Sequence, residues 1–532
     1  MGRRHALIVF LFLLILVPPV VAVLGAGAVN QPVALWWGQV LRMLQRPTTW
    51  RSVRFSLNQA AVSAVLSVLL AMPGAVILAR FSFPGRRFAQ SLTLLPFVMP
   101  GLIVILAVIS FYGRAGVLNT VFGTDFSLVY SPVGIIIAHV MFNVALAIRI
   151  IAEGWRGIDP RLAEISRSLG ERGGARFRHL YLPLLTPSMI AAGGIVFLYC
   201  FVSFGIVLVF GGVQWATLEV RIYQEMFTSL NLTAAGTLAL IQLLVCGAVV
   251  MLLQRYGDRH RYRGRVVSMA PLKQWGDITA SWRVLVLGYW IALGLFLLAP
   301  LGGIVVRSFA PYWSFHGYRG LITGYIGERE IYEIIGASFG SVFFTSVFIA
   351  LLSGTIVVTL TLLVARSLRG VQAPLIDTLF KVPLAVSGVT FSIGVRLLWG
   401  NVISPLPLIL STQAIMAFPL VFSSLRTTVE AVPLRYLESA SSLGASRRQR
   451  FWTVEMPVMR NGIINAFVFA VALSLADFTA VLTIARGRIV TFPVAMYRLI
   501  GFQSFDAALA LGVIYIAVVA FAFLIIQETA RT

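Results

Sequence analysis

Few residues in this chain have the types that do chemistry. Asp477 is a carboxylate inside the apolar run LSLADF (473–478). A charge placed there is costly in hydrocarbon, and when kept it lines a water-filled path or fixes packing by meeting an arginine or a helix end. His139 and Asn143 are four apart on one helical face, a spacing that suits an interhelical hydrogen bond better than a ligand site. The five histidines are scattered, and Cys200 and Cys246 both fall inside apolar segments. Neither a metal site nor a disulfide framework follows from that pattern. A phosphate-cradling loop needs Gly-Lys-Ser/Thr; Lys273 follows Leu272 and Lys381 follows Phe380. The chain therefore reads as no ATPase, no enzyme of another kind, and without a cofactor of its own.

The informative residues come in duplicate. EISRSLGERGGARFRHLYLP (164–183) and ESASSLGASRRQRFWTVEMP (438–457) interrupt apolar sequence with the same spacing. Glu164, Ser168, Leu169, Gly170, Arg176, Phe177 and Pro183 match Glu438, Ser442, Leu443, Gly444, Arg450, Phe451 and Pro457, and Arg161 matches Arg435. Pro160 and Pro433 suit first helical turns, with Asp159 as an N-cap. A short helix then ends at Gly170 or Gly444, where glycine takes the left-handed conformation. Leu162, Ile165 and Leu169 share one face of the first copy; Tyr436, Ala440 and Leu443 share one of the second. Pro183 and Pro457 fit the start of the next membrane helix. A single copy would read as a loop re-entering the membrane, but two with equal internal spacing read as docking elements that grip another surface.

The elements that position these copies are membrane helices. The 532 residues are 59% hydrophobic and 11% charged, with a mean hydropathy of +0.91. Soluble domains carry about 25% charged residues, so this composition predicts an all-α integral membrane protein. Spans of about 20 apolar residues are expected at 6–28, 56–79, 91–112, 132–152, 185–210 and 233–254, then at 284–306, 339–365, 375–399, 405–425, 462–484 and 506–527. These make twelve spans in two six-helix halves of the same topology, 1–254 and 284–532, joined by a charged linker, 255–283. Pro-interrupted runs such as LLPFVMPGLIV (94–104) suit kinked or broken helices. The opening apolar run of about 23 residues suits a retained helix better than a cleaved leader. The net charge of +23 is nearly all arginine, spread between apolar runs as the positive-inside rule requires rather than along a nucleic-acid-binding face. With both termini cytoplasmic, the inner loops hold most arginines, and both duplicated segments lie inside. Arg42, Arg46, Arg51 and Arg54 are the exception. Their segment, with Trp36 and Trp37, fits an amphipathic anchor along the outer surface, with partner docking the alternative. Arg149, Asp377, Lys381 and Arg396 lie near span ends and suit snorkelling.

Both copies resemble the EAA loop of binding-protein-dependent ABC importer permeases. Its pattern is Glu-Ala-Ala, three residues, Gly, nine residues, Ile, any residue, Leu-Pro. Here the alanines are Ile165 and Ser166 or Ser439 and Ala440, the isoleucine is Leu180 or Val454, and Met456 replaces the second leucine. The resemblance implies a type I importer fold and assigns ATPase coupling to Arg161, Glu164, Ser168, Leu169, Gly170 and Pro183, and to Arg435, Glu438, Ser442, Leu443, Gly444 and Pro457. It also implies two cytoplasmic ATPase subunits and a periplasmic binding protein as partners in the bacterial inner membrane. Across nearly the full length, VRFSLNQAAVSAVLSVLLAMPGAVILAR (53–80), FYGRAGVLN (111–119), AHVMFNVALAIR (138–149), LSLADF (473–478) and TFPVAMYRLIGFQSFDAALALGVI (491–514) resemble the fused permeases of bacterial thiamine importers. Fused ferric-iron permeases share the architecture, and spacing alone does not separate the two. Under the thiamine reading Asp477 would line the route of a cation, supplied by a thiamine-binding protein.

Overall fold

A computed structural model describes residues 3–28, 32–93, 99–125, 127–212, 214–259, 272–309, 313–326, 329–371 and 374–529. Among them ten helices are long and apolar enough to cross a membrane, and Gly388–Trp399 and Phe505–Phe521 are shorter apolar helices. Among the described residues the fold is all-α, apart from a two-rung ribbon pairing Tyr325–Ile326 with Arg329–Glu330 and a single bridge between Phe81 and Lys273. The central part of the expected linker and residues 94–98 of the Pro-interrupted run lie outside the described residues.

Several expected spans are broken into shorter helices. The fifth runs as Leu182–Phe201 and resumes at Gly205–Phe210. The eleventh runs as Met456–Ala476 and resumes at Thr479–Ala485. The ninth divides into Pro374–Leu379, a tight turn at Val382–Ala385 containing Pro383, and Gly388–Trp399. Ser387 starts the last piece by accepting from the Thr390 N–H at 3.0 Å, a standard cap. The second span begins earlier than expected. Val33–Gln45 is the amphipathic helix with Trp36 and Trp37, and a single helix then runs from Pro47 to Arg80, taking in Arg51 and Arg54.

The chain forms two compact units that do not follow its halves. One holds Met1–Val40, Ile222–Ala239 and Ser308–Thr532; the other holds Leu41–Arg221 and Leu240–Arg307. The opening helix of each half thus belongs to the unit built mainly from the other half. In the first unit, helix Arg3–Gly25 lies along Gly388–Trp399. Phe12 sits 5.0 Å from the rings of both Phe380 and Phe418. Gly394 lies so close that an added Cβ would stand 1.9 Å from the Pro19 carbonyl oxygen.

The second unit repeats this logic. Helix Ala280–Ser308 brings Tyr289 to the Leu70 carbonyl at 2.8 Å, over Gly74, where any side chain would collide with the Tyr289 ring. Helix Pro47–Arg80 presents a stripe of small buried residues, Ser56, Ala60, Ser63, Ser67, Ala71 and Gly74. Their three- and four-residue spacing lets Pro132–Arg156 and Leu182–Phe201 pack closely, as small residues do between membrane helices.

Two short amphipathic helices, Leu218–Phe227 and Phe492–Gly501, were not singled out by hydropathy. The two are tied down alike. The Leu218 N–H donates to Ser56 Oγ at 2.8 Å, and the Phe492 N–H donates to Ser346 Oγ at 2.9 Å.

Candidate functional site

The duplicated segments fold into matching arms. In the first, Asp159 Oδ1 accepts from the Arg161 N–H at 2.9 Å and caps helix Pro160–Ser168. In the second, Pro433 is itself the cap residue, one position earlier than the first-turn place expected for it, before helix Leu434–Ser442. Both helices end in one motif. Gly170 and Gly444 have φ of +80° and +78°. The Gly170 N–H bonds the Arg167 carbonyl and Glu171 N–H bonds Ser166; Gly444 and Ala445 do the same with Ser441 and Ala440. This double closure requires the left-handed residue and turns the chain back sharply. Ser168 and Ser442 each donate to the carbonyl four residues earlier, on Glu164 and Glu438, at 3.1 Å.

Beyond the glycines each arm passes through a short turn, Gly173–Arg176 or Arg447–Arg450, and a widened turn, Phe177–Tyr181 or Phe451–Glu455. There the Leu182 and Met456 N–H groups reach back five residues, to Phe177 and Phe451. Pro183 and Pro457 follow directly. A proline offers no N–H and crowds the carbonyl four residues back, and a wider turn relieves both problems.

An arginine folds each arm onto itself. Arg176 Nε donates to Ser166 Oγ at 3.2 Å and its Nη2 to the Glu171 carbonyl at 2.6 Å; Arg450 bonds Ser441. Glu171 completes the first arm, accepting from Ser166 Oγ at 2.7 Å and meeting His179 Nδ1 at 3.1 Å. The Ser166 hydrogen bond, then that of His179, hold the Glu171 carboxyl below its usual range. The second arm instead opens its short turn with a reciprocal cap between Ser446 and Gln449.

The expected apolar faces stand open. Leu169 is 78% exposed and Leu443 87%. Ile165, Leu434, Tyr436 and Trp452 are also exposed. Arg161, Glu164, Arg435 and Glu438 surround them at the surface.

The arms differ where they rejoin the membrane helices. Glu455 accepts from Arg366 Nε at 2.8 Å and Nη2 at 3.1 Å, with Arg369 at 3.9 Å. At the same place in the first arm stands Tyr181, stacked on Trp155 with ring centroids 4.5 Å apart. Sequence reading passed over Glu171, His179, Glu455, Arg366 and Arg369. The Tyr181–Glu455 mismatch was the available signal.

Asp477 stands apart from the arms, at the break between Met456–Ala476 and Thr479–Ala485. Its Oδ1 accepts from the Ala480 N–H at 3.3 Å and its Oδ2 from Gln413 Nε2 at 3.0 Å, while Ser474 Oγ donates to Gln413 Oε1 at 2.6 Å. The carboxylate thus meets a helix end, the plainer of the two roles read for it, and pairs with no arginine among the described residues. It also borders a cavity of about 180 Å³ with Ser353, Ser392, Thr412, Gln413 and Thr479.

One expectation changes. Arg396 does not snorkel; its Nη1 donates to the Thr483 and Ile484 carbonyls at 3.2 and 3.0 Å and closes the helix that Asp477 opens. Asn143 Nδ2 donates to the His139 carbonyl at 2.8 Å within its own helix and to Cys200 Sγ of helix Leu182–Phe201 at 3.5 Å, the interhelical bond expected of this face, while the His139 ring nitrogens have no partner among the described residues. Lys381 is exposed.

Residues 71–261 and 346–529 each match the family model described as binding-protein-dependent transport system inner membrane component. The chain belongs to that family. Among its relatives, a thiamine transport system permease protein of Escherichia coli (strain K12) is 29% identical over 507 residues, covering 89% of each chain. One of Brucella abortus (strain 2308) is 30% identical over 486 residues, 88% of this chain and 86% of its own. A molybdenum transport system permease protein of Mycobacterium bovis (strain ATCC BAA-935 / AF2122/97) is 26% identical over 219 residues, 40% of this chain but 82% of its own, as expected of a relative about half as long. The permease is a multi-pass inner-membrane subunit of an ABC transporter, and the family implies that it works with a binding protein and ATPase subunits.

Proposed function

We propose that the permease carries thiamine inward, received from a periplasmic thiamine-binding protein and driven by two cytoplasmic ATPase subunits. The observation that carries the cargo is the likeness to thiamine permeases over 86–89% of both chains. The two arms are the coupling elements, one for each ATPase. Their exposed Leu169 and Leu443, set on rigidly closed helices, suit insertion into a cleft, and their repetition suits a paired motor. Glu164 and Glu438 flank these leucines, and Arg161 and Arg435 precede them. In this reading both termini and both arms lie on the cytoplasmic side, and 255–283 serves as an inner linker between halves 1–254 and 284–532. The chain itself performs no catalysis; the ATPases supply the free energy.

Asp477 serves the route of the cargo. Thiamine is a cation, and the half-buried carboxylate borders a cavity lined by hydroxyls and an amide on one hand and by apolar residues such as Met416, Leu420 and Leu473 on the other. Selectivity rests mainly on the binding protein, and the permease offers a transient path. Proteoliposomes holding permease and ATPase, supplied with binding protein and labelled thiamine, test the reading. Uptake that requires ATP and the ATPase supports it. Uptake that persists without the ATPase, or ATP-dependent uptake of another solute in preference to thiamine, overturns it.

A further inference from the structure

Behind the first arm lies a cavity of about 670 Å³. Arg80, Arg86, Arg156, Arg167 and Lys273 line it, against two carboxylates, Asp159 and Glu164. Asp159 is already engaged as a helix cap. None of the five cations forms an ion pair among the described residues. Lys273 is fixed there by its backbone, which exchanges hydrogen bonds of 2.9 Å with Ser82 and Arg80. The Arg80 guanidinium lies 5.7 Å from the ring centroids of both Trp155 and Tyr181. Arg86 Nη2 donates to the Leu78 carbonyl at 3.0 Å, while its Nε is buried without a partner among the described residues. Burial, then the charge of Arg156, pull the Arg86 guanidinium down.

The second half shows how such a place is balanced. Glu455 stands eleven residues after Gly444, as Tyr181 stands eleven after Gly170. Glu455 neutralises the helix-end arginines Arg366 and Arg369. The first half keeps its arginines and has a tyrosine where the carboxylate would be. Like charges held together and partly desolvated raise the free energy unless an anion joins them.

We propose that this cavity binds a phosphate group, carried by an anionic lipid headgroup or by a soluble phosphate compound. Arginine forks match phosphate oxygens two at a time, and the unused Arg86 Nε supplies such a donor. Basic pockets among membrane helices hold lipid headgroups, and a cavity of this size accepts either source. The bound phosphate links Arg80 and Arg156 at the ends of two membrane helices to Arg167 on the first arm, and so stiffens that arm alone. The proposal is independent of the cargo.

The full-length permease tests it in two arms. Native mass spectrometry of gently extracted protein reads retained phosphatidylglycerol. Titration with pyrophosphate, after exchange into nanodiscs of phosphatidylcholine, reads a soluble anion. One phosphate ligand per chain is expected in at least one arm, and the arm that reports it identifies the source. Tyr181→Glu installs the carboxylate of the other half, and Arg86→Gln removes the unused donor. Each should weaken binding by about tenfold or more, the scale of one charge-assisted contact. Should Tyr181→Glu fail to fold, Arg86→Gln decides alone. No stoichiometric phosphate ligand in either arm, or wild-type binding by either folded variant, overturns the proposal.

Discussion

Arg366 and Glu455 meet through two hydrogen bonds, 2.8 Å from Nε and 3.1 Å from Nη2, joining the end of one membrane helix to the base of the second arm. Glu455 is 7% exposed, so its removal leaves two arginines facing a space with no counter-charge. Glu455→Ala should destabilise the solubilised permease by about 3 kcal/mol, the low end for a broken buried pair because Arg366 remains partly exposed. Thermal unfolding measures it. Arg366→Met combined with Glu455→Met should recover part of the loss, because neither charge is then left alone.

Gly170 and Gly444 are open on the side where a side chain would go, so substitution there acts through the backbone and not through collision. Valine at φ near +80° costs about 1–2 kcal/mol locally and should re-aim each arm beyond its glycine. The Gly170→Val, Gly444→Val double variant should insert normally, hydrolyse ATP with its ATPases, and lose most uptake. Uptake at the wild-type rate would remove the arms from the coupling role.

Asp477 separates capping from charge by choice of substitution. Asn caps about as well as Asp, whereas alanine costs about 1 kcal/mol. Asp477→Ala should lower the melting temperature, and Asp477→Asn should not. If the carboxylate serves the passing cation, Asp477→Asn lowers thiamine uptake severalfold at unchanged ATP hydrolysis. Equal uptake by Asn and wild type would leave only the structural role.

The first arm should respond to acid. The Ser166 and His179 contacts lower the Glu171 pKa in the folded state, so they stabilise the arm fully above the ordinary carboxylate value of about 4.3. That contribution is lost as pH falls through the depressed folded value. Hydrogen exchange of residues 166–181, corrected for intrinsic rates, should show the arm loosening below about pH 4. Glu171→Gln should be looser already at neutral pH and lack this acid step.

Gly394 tests the seat of the opening helix. Gly394→Ala places a methyl group against the Pro19 carbonyl and should cost about 1–3 kcal/mol. Gly288→Ala, with nothing within 4 Å of the added atom, should be neutral or slightly stabilising, since alanine is the better helix former. Thermal unfolding of both variants distinguishes this contact from a general intolerance of glycine replacement.

The arms were legible because their signals are local. Capping residue, left-handed glycine and re-entry proline lie within about 25 residues and are spaced alike in both copies. The breaks at Val202–Phe204 and Asp477–Phe478 were not, because hydropathy runs across them undisturbed and the termini are made good by partners far away in sequence, such as Gln413 and Arg396. The small-residue stripe from Ser56 to Gly74 was visible but carried no direction until its neighbours were known. Glu455 looked like one more charge in a polar loop; only the position of Arg366, 89 residues away, gives it meaning.

The placement of the opening helices has a consequence for biosynthesis. The segment around Pro19 is made first, yet its seat at Gly394 is translated 375 residues later. At about 5–20 residues per second that is a wait of roughly 20–75 s. The unit built mainly from the first half likewise awaits Ala280–Ser308. Neither unit is complete when its own half leaves the ribosome, so a truncated message yields no finished piece, and joining both halves in one polypeptide guarantees that each helix finds the seat it was made for.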